Sequence, residues 1–151
     1  MNDRKDADYI PERWTFEDDK VASIFDRHVR EQLPWYDLAT TAVSQIARHY
    51  IGHGGLVYDI GASTGNVGNA IRPTLEERGA QLVAIEGAHE MADRYVGPGR
   101  LEIARAETFD YEPFDLGVCF LVLIFMRPDE ARALLQNLRS SIVYRGAIIV
   151  V

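Results

Sequence analysis

Sulfur cross-links and concentrated positive charge are what this chain has least of. Cys119 is the only cysteine among 151 residues, so no disulfide can form within the chain and a disulfide-stapled secreted scaffold is excluded. Long apolar runs are missing too. The longest, Leu116 to Met126, is short of the roughly 20 residues that cross a bilayer, and the opening MNDRKDADYI lacks the apolar centre of a signal peptide. A cytoplasmic protein with no membrane partner is the expectation. There is no basic cluster: 16 Lys and Arg face 23 Asp and Glu, a net charge of −7, which argues against a general grip on nucleic-acid phosphates. His28, His49, His53 and His89 show no ligand-like pairing and one cysteine cannot build a zinc site, so no metal centre is expected. No Gly-Lys-Ser/Thr triplet is present, which excludes a Walker-type nucleotide loop, and Ser63 has no histidine–acid context for a hydrolase triad.

What is present suits one globular domain: 47% hydrophobic and 26% charged residues on a chain long enough to bury about two-thirds of its unfolded surface. Residues 1–13 are polar and read as a flexible tail, leaving 14–151 as the domain. Val21, Ile24, Phe25 and Val29 recur at helical spacing, with the adjacent acids Glu17, Asp18 and Asp19 placed to favour that helix's start. After Pro34, a second helix runs from Trp35 to Tyr50. The period then changes. Strands are predicted over 56–60, 81–86, 101–104, 116–123 and 147–151, with helices between them over 66–78, 88–95 and from Pro128 through Ile142 to a stop at Gly146. Pro73 predicts a kink or break in its helix. Alternating strands and helices predict a doubly wound, mostly parallel, Rossmann-like α/β sheet of about five strands with two helices in front, and ligands at the carboxyl ends of the strands. The last strand runs to Val151 without a turn, which reads as C-terminal truncation, and its blunt edge offers a surface for a second copy in a homodimer.

The residues that follow the strands are the chemically interesting ones. The first strand runs into Asp59-Ile60-Gly61-Ala62-Ser63-Thr64-Gly65. Glycines there permit positive φ and close backbone approach to a ligand, and the helix that opens behind them presents unpaired N–H groups. A tight strand-to-helix turn would use the same glycines. Asp59 aims a carboxylate at the crevice, where it suits a cationic amine. Gly61, Gly65 and Gly68 do not give the Gly-x-Gly-x-x-Gly spacing of a nicotinamide enzyme. Glu86 closes the second strand, where an acid can accept both hydroxyls of a ribose or cap the next helix. Glu107 and Thr108 follow the third strand and read either as the edge of an adenine site or as polar loop residues. Phe114 reads as core, and Phe120 either packs inside or borders the ligand.

These motifs resemble the class I S-adenosylmethionine (SAM)-dependent methyltransferases, whose mark is a strand-end acid, a glycine loop and a second-strand acid. The likeness is closer to the carboxy-SAM synthase branch, through Val57-Tyr58-Asp59-Ile60-Gly61-Ala62-Ser63-Thr64-Gly65, the upstream Trp14-Thr15-Phe16, then Val21, Ala22, Phe25, Pro34 and Tyr36. It runs from about Trp14 to Val151. The resemblance implies SAM as cofactor, with Asp59, Gly61, Ala62, Ser63 and Gly65 around its methionine part, Glu86 at the ribose, Gly87 beside the adenine, Glu107 and Thr108 at the adenine edge, and Tyr36 near the reactive end. Phe120 stands where the synthase branch has asparagine. That branch's later strands, and the basic and tyrosine residues that hold the extra carboxylate, fall beyond Val151. The function so implied is methyl transfer to an unidentified acceptor, a small molecule slightly favoured over RNA or protein, with no catalytic residue assigned. Carboxy-SAM synthesis and a catalytically inactive SAM-binding or interaction module are the alternatives.

Overall fold

The computed structural model describes residues 15–151; the predicted 1–13 tail and Trp14 lie outside the described residues. Helix α1 (Asp19–Gln32) starts at Asp18, whose carboxylate accepts hydrogen bonds from Lys20 N at 2.8 Å and Val21 N at 3.3 Å, satisfying amides with no partner inside the helix. Its apolar stripe, with Val21 and Val29 buried, faces the body of the domain. Helix α2 (Tyr36–Ala47) follows Pro34 and buries Tyr36, Val43 and Ala47. The alternating part then runs β1 (Leu56–Ile60), α3 (Asn66–Arg78), β2 (Gln81–Glu86), the short α4 (His89–Ala92), β3 (Arg100–Ile103), β4 (Phe114–Cys119), α5 (Pro128–Ser141) and β5 (Ile142–Val150).

Every strand pair is parallel, in the order β3-β2-β1-β4-β5. The order reverses between β1 and β4. At that place the chain leaves the two strands toward opposite sides of the sheet, opening a crevice past their carboxyl ends. The sheet is covered on both faces. Val57, Leu82, Leu116 and Val118 pack with Val43 and Ala47 of α2 and Ile71 and Leu75 of α3, while Tyr58, Ile60, Val83 and Ile85 pack with Leu134 and Leu138 of α5. Successive side chains of a strand alternate between faces, so Asp59 shares the side of Val57, toward α2 and α3.

Several boundaries differ from the sequence expectation: the helix predicted over 88–95 ends at Ala92, the second helix ends at Ala47 and not Tyr50, β3 is shifted to Arg100–Ile103, and three further differences are larger. β4 starts at Phe114 and ends at Cys119, because the residues after it turn sharply, Leu121 taking φ 54° and residues 123–125 forming a single helical turn. α3 runs unbroken through Pro73, which removes one backbone donor in the eighth position of a helix held by buried Val67, Ile71 and Leu75. Ile142 and Gly146 belong to β5 and not to the end of α5: the chain passes from helix to strand with no loop. The pairing of β4 with β5 slips between Phe114 and Leu116, and Arg145 at φ 67° precedes a Gly146 whose added Cβ would lie 2.8 Å from Asp115 O. Gly146 thus reads as an irregularity within the strand.

Candidate functional site

Two cavities lie at the carboxyl ends of β1, β2 and β4 and share Phe16, Gly61, Glu86, Val122 and Met126 as walls. The first, about 200 Å³, is roofed by Phe16, by Phe25 and Val29 of α1 and by Tyr36 of α2; its floor includes Asp59, Ala62, Ser63 and Phe120. The second, about 430 Å³, lies on the β2–β3 side, lined by Gly87, Ala88, Ala106, Glu107 and Glu130 among others.

The turn after β1 is built by backbone geometry. Gly61 has φ 69°, and an added Cβ would sit 2.6 Å from Val122 Cγ2. Gly61 N and Ala62 N both donate to Ile85 O, at 2.9 and 3.0 Å, tying the turn to β2. Ser63 adopts φ 52°, a left-handed conformation that costs a non-glycine residue about 1–3 kcal/mol and persists only where the surroundings impose it. Its backbone amide donates to Glu86 Oε2 at 2.8 Å, which supplies part of that imposition. Gly65 has φ 97° and its Cβ would meet Gly97 N at 2.6 Å, so this glycine serves the packing of the 95–97 loop and does not line either cavity.

Asp59 is 1% exposed. Burial pushes its carboxyl up to about 7; a backbone hydrogen bond from Gly68 opposes this, and the nearby negative charge of Glu86 adds to it. One oxygen, Oδ2, is buried with no hydrogen-bond partner, and so is Ser63 Oγ. A buried polar atom without a partner costs about 1–3 kcal/mol, so a carboxylate oxygen and a hydroxyl left unpaired in one cavity are an unmet demand for hydrogen-bond partners. Glu86 stands at the junction of the two cavities and accepts from Ser63 N and, through Oε1, from Ala88 N at 3.0 Å. Glu86 thus holds the amide of the residue that precedes α4, and each of its oxygens keeps a further lone pair. Glu107 lines the second cavity and is ion-paired with Arg105, which also reaches Glu130 at 2.7 Å. Thr108 Oγ1 bonds Arg105 O at 3.4 Å and lines neither cavity.

The structure thus brings Tyr36, Asp59, Gly61, Ala62, Ser63, Glu86 and Phe120 to the first cavity, Gly87 and Glu107 to the second, and leaves Gly65 and Thr108 beside them. Sequence reasoning missed the polar latch between α1 and the loop. Asp26 Oδ1 accepts from Thr64 Oγ1 and Asn66 Nδ2, both at 2.8 Å, and Asn66 Nδ2 lies 3.2 Å from Tyr36 OH. Burial raises the Tyr36 pKa above its usual 10.0, so its hydroxyl stays protonated near neutrality. The Cys119 thiol is pushed up to about 12, again by burial and then by Asp59, and is no nucleophile. Among the described residues no cluster of His, Cys, Asp and Glu could hold a metal ion, and no helix is long and apolar enough to cross a membrane.

A parallel sheet that reverses between β1 and β4, with a glycine turn after β1 and the acids Asp59 and Glu86 near the carboxyl ends of β1 and β2, defines a Rossmann-like α/β domain. No family model matches the chain. In sequence it is similar to the carboxy-S-adenosyl-L-methionine synthase of Shewanella halifaxensis, 29% identical over 141 residues, covering 87% of this chain and 58% of that protein. The enzyme of the same name from Shigella boydii is 26% identical, covering 90% and 58%. The chain spans less than two-thirds of the length of these curated relatives. In fold it is similar to a SAM-dependent methyltransferase from Archaeoglobus fulgidus, with TM-score 0.64 and 15% identity over 82% of this chain and 56% of that one. The phosphoethanolamine N-methyltransferase 1 of Haemonchus contortus, solved with phosphoethanolamine and S-adenosylhomocysteine, gives TM-score 0.60 and 16% identity over 74% and 25%.

Proposed function

We propose that the two joined cavities bind SAM and that the chain is the cofactor-binding part of a methyltransferase. The observation that carries this is the buried, unpartnered Asp59 Oδ2 in the first cavity, with Glu86 at the entrance to the second. An amino acid's ammonium group supplies the donor that Asp59 lacks, Ser63 Oγ is a further polar partner, and ribose hydroxyls meet the free lone pairs of Glu86. Gly61, Ala62 and Ser63 would hold the methionyl part, Gly87 and Glu107 the adenine end, and Tyr36 and Phe120 the reactive end. Gly65 and Thr108 support the site from outside the cavities.

When bound, SAM supplies a methyl group on a sulfonium, which is already a good leaving group. What the protein then contributes is alignment of the acceptor and exclusion of water, and orientation of this kind is worth several kcal/mol. Tyr36 keeps its proton, and no side chain of the first cavity stands out as a general base. The acceptor is an unidentified small molecule in this reading. Carboxy-SAM synthesis is the second reading, favoured by the sequence likeness.

Calorimetric titration with SAM tests the proposal. Wild-type protein is expected to bind, and Glu86→Ala to weaken binding by about 1–3 kcal/mol, the cost of hydroxyls left without a buried acceptor. An unchanged dissociation constant in a folded Glu86→Ala variant overturns the assignment.

A further inference from the structure

Helix α2 is apolar on the side it turns to solvent as well as on the side it buries. Tyr36, Val43 and Ala47 face the domain. Further round the helix runs a second stripe: Leu38 is 73% exposed, Trp35 and Ile46 are about half so, Ala42 lies exposed between them, and Tyr50 continues the line just past the helix. From Leu38 to Ala47 there is no charged residue, in a chain where 26% of residues are charged. A helix on the outside of a domain ordinarily gives water a polar face, whereas one that is apolar on both faces is covered on both.

We propose that this stripe is the interface of a two-fold symmetric dimer, in which α2 packs antiparallel on the same helix of a second copy. The register of the stripe selects a second copy as the occupant. In an antiparallel pair centred on Ala42, Leu38 meets the partner's Ile46 and Trp35 reaches the partner's Tyr50, so one stripe complements itself. The small side chain of Ala42 falls on the axis, where it lets the helices approach to about 8 Å. The flanking charges agree. Asp37 and Arg48 bound the uncharged stretch and stand eleven positions apart, close to three full turns, so they share one flank of the helix. Antiparallel pairing sets Asp37 beside the partner's Arg48 and repeats the contact by symmetry; a parallel pair would set like charges together. The Asp37 side chain remains 70% exposed beside Arg30 and can accept a further donor. With a net charge of −7 two copies repel overall, and an uncharged strip is where they meet at least cost. The strip is about 20 Å long, at the small end of specific interfaces, so association depends on concentration. The buried face of the same helix carries Tyr36 into the roof of the first cavity, so pairing braces that roof.

Sedimentation velocity of the full chain between about 1 and about 100 µM tests the proposal, with the mass expected to rise from one chain toward two. Leu38→Glu, at a largely exposed position, is expected to weaken self-association at least about tenfold and to leave the circular dichroism spectrum unchanged. Ala42→Cys is expected to form a covalent dimer under mild oxidation, because the axis brings its two sulfurs within disulfide reach. Leu38→Cys is not, because its two copies stand about 12 Å apart along the helices. Cys119 is buried and stays out of this reaction. A single chain mass at every concentration overturns the proposal. A dimer that Leu38→Glu leaves intact does so too and moves the contact elsewhere, such as the β5 edge. Cross-linking of Leu38→Cys as readily as of Ala42→Cys overturns the antiparallel register. None of these measurements involves a ligand, so their outcome is separate from that of the proposed function.

Discussion

Asp59 is where burial and charge conflict most directly. In the unfolded chain its carboxyl titrates near 3.8; in the fold burial holds it up to about 7. Between those values the folded, ligand-free protein keeps a proton that the unfolded chain has released. Asp59's contribution to stability is therefore greatest below the lower value, falls as pH rises, and levels off above about 7. Asp59→Asn keeps the shape and removes the titration. Urea midpoints are expected to show the variant gaining on wild type more at about pH 8 than at about pH 5; equal gains at both would mean Asp59 is not buried as described. Cofactor binding has the opposite slope. An ammonium group favours the ionised carboxylate, so SAM affinity should rise by about tenfold in all from about pH 6 to about pH 8, and should be flat and weak in Asp59→Asn. Gly65 gives a prediction of a different kind. Its φ of 97° and the 2.6 Å approach to Gly97 N mean that Gly65→Ala adds strain and overlap, with an expected loss of about 2–4 kcal/mol in urea unfolding. A Gly61 substitution is similarly confounded, because its Cβ would meet Val122, so a Gly61→Val variant reports on folding as well as on ligand contact.

At the scale of the element, α1 is the part whose position the site depends on. It is held by Asp26 to Thr64 and Asn66 on one side and by Asp19 to Arg94 at 2.7 Å on the other. Asp19 is 78% exposed on its side chain, so that ion pair contributes little, whereas Asp26 satisfies two donors in the glycine turn. Asp26→Ala is expected to cost about 1–2 kcal/mol and to raise amide exchange in residues 19–32 more than in the strands. Uniform exchange across the domain would show that α1 is not separately latched. The elements themselves were legible because their apolar periods differ: the stripe Val21, Phe25, Val29 against the runs at 56–60 and 81–86. Their junctions were less so. Nothing in Ile142 or Gly146 announces that a helix becomes a strand without a loop, since Ile142 continues the helical stripe and the pairing with Phe114 that draws it into the sheet is long-range. Likewise Pro73 predicted a kink or break, and packing by Val67, Ile71 and Leu75 keeps the helix unbroken. Asp59 and Glu86 were found because acids at strand ends stand out against apolar neighbours. Phe16, Phe25 and Phe125 were missed as a cavity wall because an aromatic ring on an apolar stripe carries the same pattern whether it fills a core or borders a ligand.

At the scale of the molecule, the first cavity draws its walls from Phe16 through Met126, across both helices in front of the sheet, β1, β2 and the turn after β4. No short segment forms it. The reversal of strand order between β1 and β4 gathers these parts, and in the unfolded chain they are dispersed. A ligand bound there stabilises the folded chain alone, by an amount set by concentration and affinity: about 2.7 kcal/mol at one hundred times the dissociation constant. We therefore expect SAM to raise the urea midpoint of the whole cooperative transition, with α1 protected from amide exchange to the same extent as β1 and β2. The two readings separate the alternatives cleanly. A ligand held at the surface by Glu107 and Glu130 alone would leave α1 exchange unchanged, whereas one enclosed between Asp59 and Phe25 must slow it, because α1 has to open before the cavity can empty.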